Sequence, residues 1–170
     1  MPATVFGLPT HALVIHATVM LVPLAAMLLV LVALWPRLRR ALGPLPAVGA
    51  AIALILVPIT TSTGDKLKER LGVDNPLIER HEHLGEQLLP WVAALFVAAL
   101  ALLFTDGWRP NAWATPAPAS AGGVATASRM RIATIVISVI VIALAVVTVV
   151  EVIRIGHAGA EAVWQGAGSS

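Results

Sequence analysis

The sequence predicts an all-α fold: a polytopic membrane protein whose single domain of 170 residues is a bundle of four transmembrane helices. Hydrophobic residues make up 58% of the chain and charged residues only 12%, against roughly 25% in soluble domains. Four apolar stretches approach or exceed the roughly 20 residues that cross the hydrocarbon core of a bilayer. Because only helices and closed barrels satisfy the backbone in lipid, and these stretches are too long for barrel strands, we expect helices.

The four predicted spans cover residues 12–35, 46–63, 84–104 and 132–155. The third helix is expected to begin near Pro76, well before its span, because a polar residue followed by proline is typical of a helix start. Residues 105–131 are rich in Ala, Pro, Gly and Ser, which predicts a flexible linker between the third and fourth spans.

Three arginines directly after the first span set the expected orientation. Arg37, Arg39 and Arg40 lie in one short connection, and the positive-inside rule places such a cluster in the cytoplasm. We therefore expect a multi-pass protein of the bacterial plasma membrane with both termini outside the cytoplasm. The first span is not expected to be a cleaved signal peptide, because the basic residues follow it and do not precede it.

All five histidines are predicted to lie on the outer side of the membrane, although they are widely separated in sequence. They are His11, His16, His81, His83 and His157. His16 lies inside the first span, where an ionisable side chain usually faces the bundle interior and serves a function. The alternative is a polar contact with a neighbouring helix. His81 is expected on the solvated surface.

Equal spacings on two spans predict an internal repeat. His16 precedes Pro23 by seven residues, and His83 precedes Pro90 by seven, on helices that run the same way. Two parallel two-helix repeats would make His16 and His83 symmetry mates.

The end of the fourth span carries charges and glycines. Glu151 needs a partner in the membrane, and Arg154 is the nearest candidate for an ion pair. Gly156 and Gly159 would permit close approach of another helix or of a flat cofactor, or they simply end the helix.

Four motifs, GLPTHALVIH, TSTGD, HEHLG and IGHAGAEAVW, resemble a bacterial membrane family known as domain of unknown function 2231, and the resemblance covers essentially the whole chain. The residues that match the pattern of the family are His11, His16, Thr63, Gly64, Gly156 and Gly159. Ala12 stands where the family has a proline. The resemblance implies four helices but no activity; the family's histidines are compatible with haem or metal binding.

The first functional hypothesis is haem b, held for electron transfer to a redox partner protein. Histidines on facing helices of a bundle can supply axial ligands. The predicted pair is His16 with His83, with His157 as an alternate and His11 nearby, while Gly156 and Gly159 would make room for a porphyrin face.

The second hypothesis is a copper or zinc site, because imidazole suits both metals. Its candidate ligands are His11, His16, His83, His157 and Glu86. The third hypothesis is a non-enzymatic membrane subunit or scaffold. The chain has no cysteine, which excludes thiolate ligands and covalent haem attachment, and its charge pattern does not predict nucleic-acid binding.

The orientation can be tested with reporter fusions at Gly43 and Ser170. We expect a cytoplasmic signal at Gly43 and an extracytoplasmic signal at Ser170, because the arginine cluster should remain inside. A cytoplasmic signal at Ser170 would contradict the orientation and would move the histidines to the cytoplasmic side.

Overall fold

The computed structural model describes residues 4–5, 8–72, 75–105 and 124–167, and this part of the chain is almost entirely helical. A short antiparallel pair, β1 (Thr4–Val5) and β2 (Leu8–Pro9), precedes the helices. The helices are α1 (Thr10–Leu34), α2 (Pro36–Leu42), α3 (Leu45–Leu71), α4 (Pro76–Thr105) and α5 (Val124–Ala167). Because α1, α3, α4 and α5 are long and apolar enough to cross a membrane, the predicted all-α bundle of four spanning helices is confirmed.

The start of α4 lies where the sequence predicts it. The backbone N–H of Leu77 donates a hydrogen bond to Oδ1 of Asn75 at 2.9 Å, next to Pro76 in the first turn. A side-chain oxygen that accepts from an otherwise unpaired N–H stabilises a helix start. The third helix therefore extends two turns beyond its predicted span, 84–104.

Two other helices also extend beyond their predicted spans. Helix α3 runs eight residues past residue 63 and ends at Gly72, whose φ of 58° is the left-handed conformation common after a helix. Helix α5 begins at Val124, so the predicted linker 105–131 is wrong for residues 124–131. These residues include Ala, Met and Arg, which favour helix. Residues 106–123 of that linker lie outside the described residues.

The arginine cluster forms the short helix α2. Pro36 occupies its first turn, where the missing N–H of proline costs nothing. Arg37 and Arg40 are exposed, whereas Arg39 is buried. The connection after the first span is thus structured, and one of its three charges lies within the protein.

The long helices form a square in which α1 and α4 lie on one diagonal. Helices α1 and α4 each pack along both α3 and α5, while α1 and α4 contact each other far less. Residues from all four long helices form the core, among them the fully buried Leu29, Leu95 and Val141. Diagonal helices run in the same direction, as the predicted parallel repeat requires.

The burial pattern agrees with a repeat whose halves are shifted by 70 and by 95 positions. Buried residues of α1 recur 70 positions later in α4, and those of α3 recur 95 positions later in α5. The pairs in α1 and α4 are Thr18 and Leu88, Val22 and Val92, Ala25 and Leu95, Leu29 and Ala99, and Val32 and Leu102. The pairs in α3 and α5 are Ala50 and Ala145, Ala53 and Thr148, Val57 and Val152, and Thr63 and Ala158.

This register corrects the symmetry mates predicted from the prolines. Matching His16 to His83 requires a shift of 67 positions, which would move the buried face of α4 away from the core. At the observed shift, His11 corresponds to His81 and His16 corresponds to Glu86. The equal His–Pro spacings therefore do not define the repeat.

The predicted ion pair within the fourth span is confirmed. Arg154 donates to Oε1 of the buried Glu151 at 2.7 Å. Oε2 of Glu151 is buried and has no hydrogen-bond partner among the described residues. Arg154 is about half exposed, so its guanidinium reaches the outside of the bundle while its partner stays inside.

Two alanines on α5 test the packing. Ala145→Leu should lower the melting temperature, because Ala145 is 1% exposed and overpacking a filled core costs about 1–3 kcal/mol. Ala143→Leu is the matched control, because Ala143 is exposed. Thermal unfolding in detergent measures both variants, and an equal effect of the two substitutions would contradict the observed face of α5.

Candidate histidine cavity at one end of the bundle

A cavity of about 440 Å³ lies between the four long helices, at the end where α3 stops and α4 begins. This volume is within the range of about 300–1,000 Å³ that is common for small-molecule sites. Its buried apolar lining comes from Val57, Leu88 and Val152. Two histidines, His11 of α1 and His81 of α4, line it from the two diagonal helices. The cavity therefore combines an apolar interior with two imidazoles.

His11 rests on a glycine of the neighbouring helix α3. A methyl group at Gly64 would lie 3.2 Å from Cε1 of the His11 ring, so the ring uses the space that a side chain would take. Nδ1 of His11 lies 3.2 Å from the carbonyl oxygen of Thr60 and 3.3 Å from Oγ1 of Thr63. The ring is thus held against α3 at its edge and at one nitrogen.

His81 repeats the same arrangement on α5. A methyl group at Gly159 would lie 3.0 Å from Cε1 of His81, and Nδ1 of His81 lies 3.0 Å from the carbonyl oxygen of Ile155. In both halves the carbonyl belongs to the residue four positions before the glycine. Because the shift of 95 positions relates Thr60 to Ile155 and Gly64 to Gly159, these two contacts are equivalent in the repeat.

The carbonyl contacts favour the same tautomer in both rings. A carbonyl oxygen can only accept, so a neutral ring makes this bond when its hydrogen is on Nδ1. Nε2 of each neutral ring then carries a lone pair. A histidine whose Nδ1–H is held by a backbone carbonyl is the usual form of a metal-ligating histidine.

Charged residues surround the mouth of the cavity, mainly on α3 and α4. Lys68 donates to Oε2 of Glu82 at 2.7 Å and so connects these two helices, and the side chain of Asp65 lies beside Glu82. Arg80 and Glu161 form a longer pair of 3.5 Å between α4 and α5. Partly exposed pairs of this kind contribute typically about 0.2–1 kcal/mol each. Their main effect is a polar rim around an apolar cavity.

The other histidines do not reach this cavity. His16, His83 and His157 are exposed, and their described contacts are with their own helices: the Ala12 carbonyl, Gln87 and Glu161. The prediction that His16 and His83 point into the bundle, with His157 beside them, is wrong. His16 follows His11 by five residues, about 140° around the helix, so only one of the two can face inward.

The glycines also differ from their predicted role. Gly159 accommodates the His81 ring, so it does not make room for a cofactor. Gly156 lines the cavity, and a methyl group there would have no heavy atom within 4 Å outside its own helix backbone and chain neighbours. Glu86, the predicted carboxylate ligand, is exposed. Among the described residues, no group of three or more His, Cys, Asp or Glu side chains could hold a metal ion.

Sequence reasoning missed His81, which was predicted on the surface. The signal that could have found it lies in the glycines. Gly64 and Gly159 each follow a small-residue segment near the end of a span, and aligning them relates α3 to α5. His81 is related to His11 by a separate shift of 70 positions between α1 and α4.

Comparison with protein-family models, with curated proteins and with solved structures gives no match to this chain. The resemblance to domain of unknown function 2231 therefore stays a prediction, and the site is interpreted from its own geometry.

Substitution of Gly156 and Gly159 of α5 tests the position of His81. Gly159→Ala should displace the imidazole, because the new methyl group would lie 3.0 Å from Cε1 and 3.1 Å from Nδ1. We expect the ¹⁵N resonances of His81 to shift and the hydrogen bond to Ile155 to weaken. Gly156→Ala, three residues earlier, should leave them unchanged. Unchanged His81 resonances in Gly159→Ala would show that the ring does not rest there.

Proposed function

We propose that this chain is a membrane electron carrier that binds haem b between His11 and His81. The observation that carries the proposal is that His11 and His81 line one cavity from the two diagonal helices α1 and α4. Each ring is held by a backbone carbonyl in the tautomer that a ligand needs. Helical bundles commonly build cofactor sites from side chains on facing helices.

The polarity of the cavity suits such a group. Its interior is apolar, its rim is polar, and the wall at Gly156 is open. The rings of His11 and His81 pack against Gly64 of α3 and Gly159 of α5, and both rings line the cavity. Bound haem would supply a one-electron redox centre, and the protein would supply ligands, orientation and an apolar surrounding.

Electron transfer is favoured over substrate chemistry. Both cavity imidazoles, His11 and His81, would be used to hold the haem, and bound haem would supply one-electron chemistry. If the orientation predicted from the arginines holds, the cavity opens on the extracytoplasmic side of a bacterial plasma membrane. A redox partner protein would then approach the same end of the bundle.

A copper or zinc site has less support. A structural zinc site needs four ligands, and the described residues offer no group of three that could hold a metal. The proposed ligands His16, His83 and His157 are exposed and separate from the cavity. A scaffold without a cofactor is the outcome if neither haem nor metal binds.

The test is an absorption spectrum of the protein in mild detergent, as purified and after haem addition. We expect a Soret band and, with dithionite, a sharp b-type α band. His11→Ala and His81→Ala should each abolish the α band, because each removes one axial ligand. His16→Ala and His83→Ala are matched controls on the same two helices and should retain it.

Three results would contradict the proposal. Loss of the α band in His16→Ala but not in His11→Ala would indicate that haem binds at the outer face of α1. A protein that stays colourless with haem yet gains thermal stability with copper or zinc would favour a metal site. No response to haem or metal would favour the scaffold.

A further inference from the structure

The two halves of the histidine site differ at one buried position. In α3 the residue before Gly64 is Thr63, which is 6% exposed, and in α5 the residue before Gly159 is Ala158, which is 3% exposed. The repeat relates these two positions, so the backbone is equivalent while the side-chain chemistry is not. A hydroxyl is present beside His11 and absent beside His81.

The hydroxyl of Thr63 is arranged to accept from His11. Thr63 donates its own hydrogen to the carbonyl oxygen of Thr60 at 2.9 Å, which leaves the oxygen lone pairs for another donor. Nδ1 of His11 lies 3.3 Å away. Its N–H is therefore shared between two acceptors on α3, the Thr60 carbonyl and the Thr63 hydroxyl.

The neighbouring threonines have other partners in the described structure. The Thr60 hydroxyl contacts the Thr18 hydroxyl at 2.6 Å and donates to the Leu56 carbonyl. The Thr61 hydroxyl donates to the Pro58 carbonyl at 3.1 Å. Thr63 is thus the threonine whose hydroxyl meets the His11 ring, although Thr60 and Thr61 also line the cavity.

We propose that Thr63 is a positioning residue that holds the His11 imidazole with its hydrogen on Nδ1 and its lone pair on Nε2. His81 has Ala158 in the equivalent position, and among the described residues its Nδ1–H meets one acceptor, the Ile155 carbonyl. The two cavity histidines are consequently inequivalent: the Nδ1–H of His11 meets two acceptors and that of His81 meets one. The role of this difference in ligand binding rests on the proposed function, but the difference itself belongs to the ligand-free protein.

The test is ¹⁵N NMR of the histidine side chains of the full chain in detergent micelles, without haem. Thr63→Val keeps the branched shape and removes the hydroxyl. We expect the ratio of the Nδ1–H to the Nε2–H tautomer of His11 to fall about five-fold, the factor that corresponds to one ordinary hydrogen bond. The His81 ratio should not change. Thr63→Ser should restore the His11 ratio, and Thr61→Val is the matched control on the same helix.

An unchanged His11 ratio in Thr63→Val would overturn the proposal. Equal changes at His11 and His81 would overturn it too, because they would indicate general loosening of the bundle. Thr63→Ala, which only removes atoms, replaces Thr63→Val if the valine variant does not fold. The haem titration separates the two claims: a wild-type protein without a Soret band would refute the haem proposal and leave the tautomer result standing.

Discussion

The contact between an imidazole and the backbone of a neighbouring helix is the constraint on which the rest of the site depends. Each inward-facing ring needs a helix surface without a side chain, and Gly64 and Gly159 provide it. Each ring also needs an acceptor for its Nδ1–H, which the carbonyl one turn earlier provides. These contacts keep a polar group satisfied in a largely apolar bundle, where an unpaired one costs a few kcal/mol. They also set the positions of the two rings in the wall of the cavity.

The parallel repeat explains why this contact occurs twice. A two-helix unit buries its apolar face only against a second unit, and the recurrence of buried residues in α1 and α4 shows how the units meet. The same operation brings His11 and His81 to one end of the bundle from opposite corners. The two halves are nevertheless unequal: α3 carries Thr60 and Thr63 where α5 carries Ile155 and Ala158. The arrangement of the helices is symmetric, whereas the side chains that α3 and α5 place beside the two histidines are not.

Fold and site differ in how far the sequence could predict them. Apolar length alone predicts four spanning helices, since a bilayer imposes it, and Asn75-Pro76 locates the start of α4 correctly. The inward face of each helix is harder to predict, because the spans are apolar all round and the spacing of their apolar residues shows little helical periodicity. His16 appeared functional because it is polar inside a span, yet it faces outward; His81 appeared solvated because charged residues surround it, yet it packs on Gly159. The orientation of these two side chains depends on the packing of the neighbouring helices.

The central claim is that His11 and His81 act as a pair on one cavity, and electron paramagnetic resonance of haem-loaded glycine variants tests it most directly. The account predicts a low-spin ferric signal in the wild type and a high-spin signal in His11→Gly and in His81→Gly. Free imidazole should restore the low-spin signal in each variant, because it can refill the vacated space. A low-spin signal that persists in His81→Gly without added imidazole would contradict the pairing.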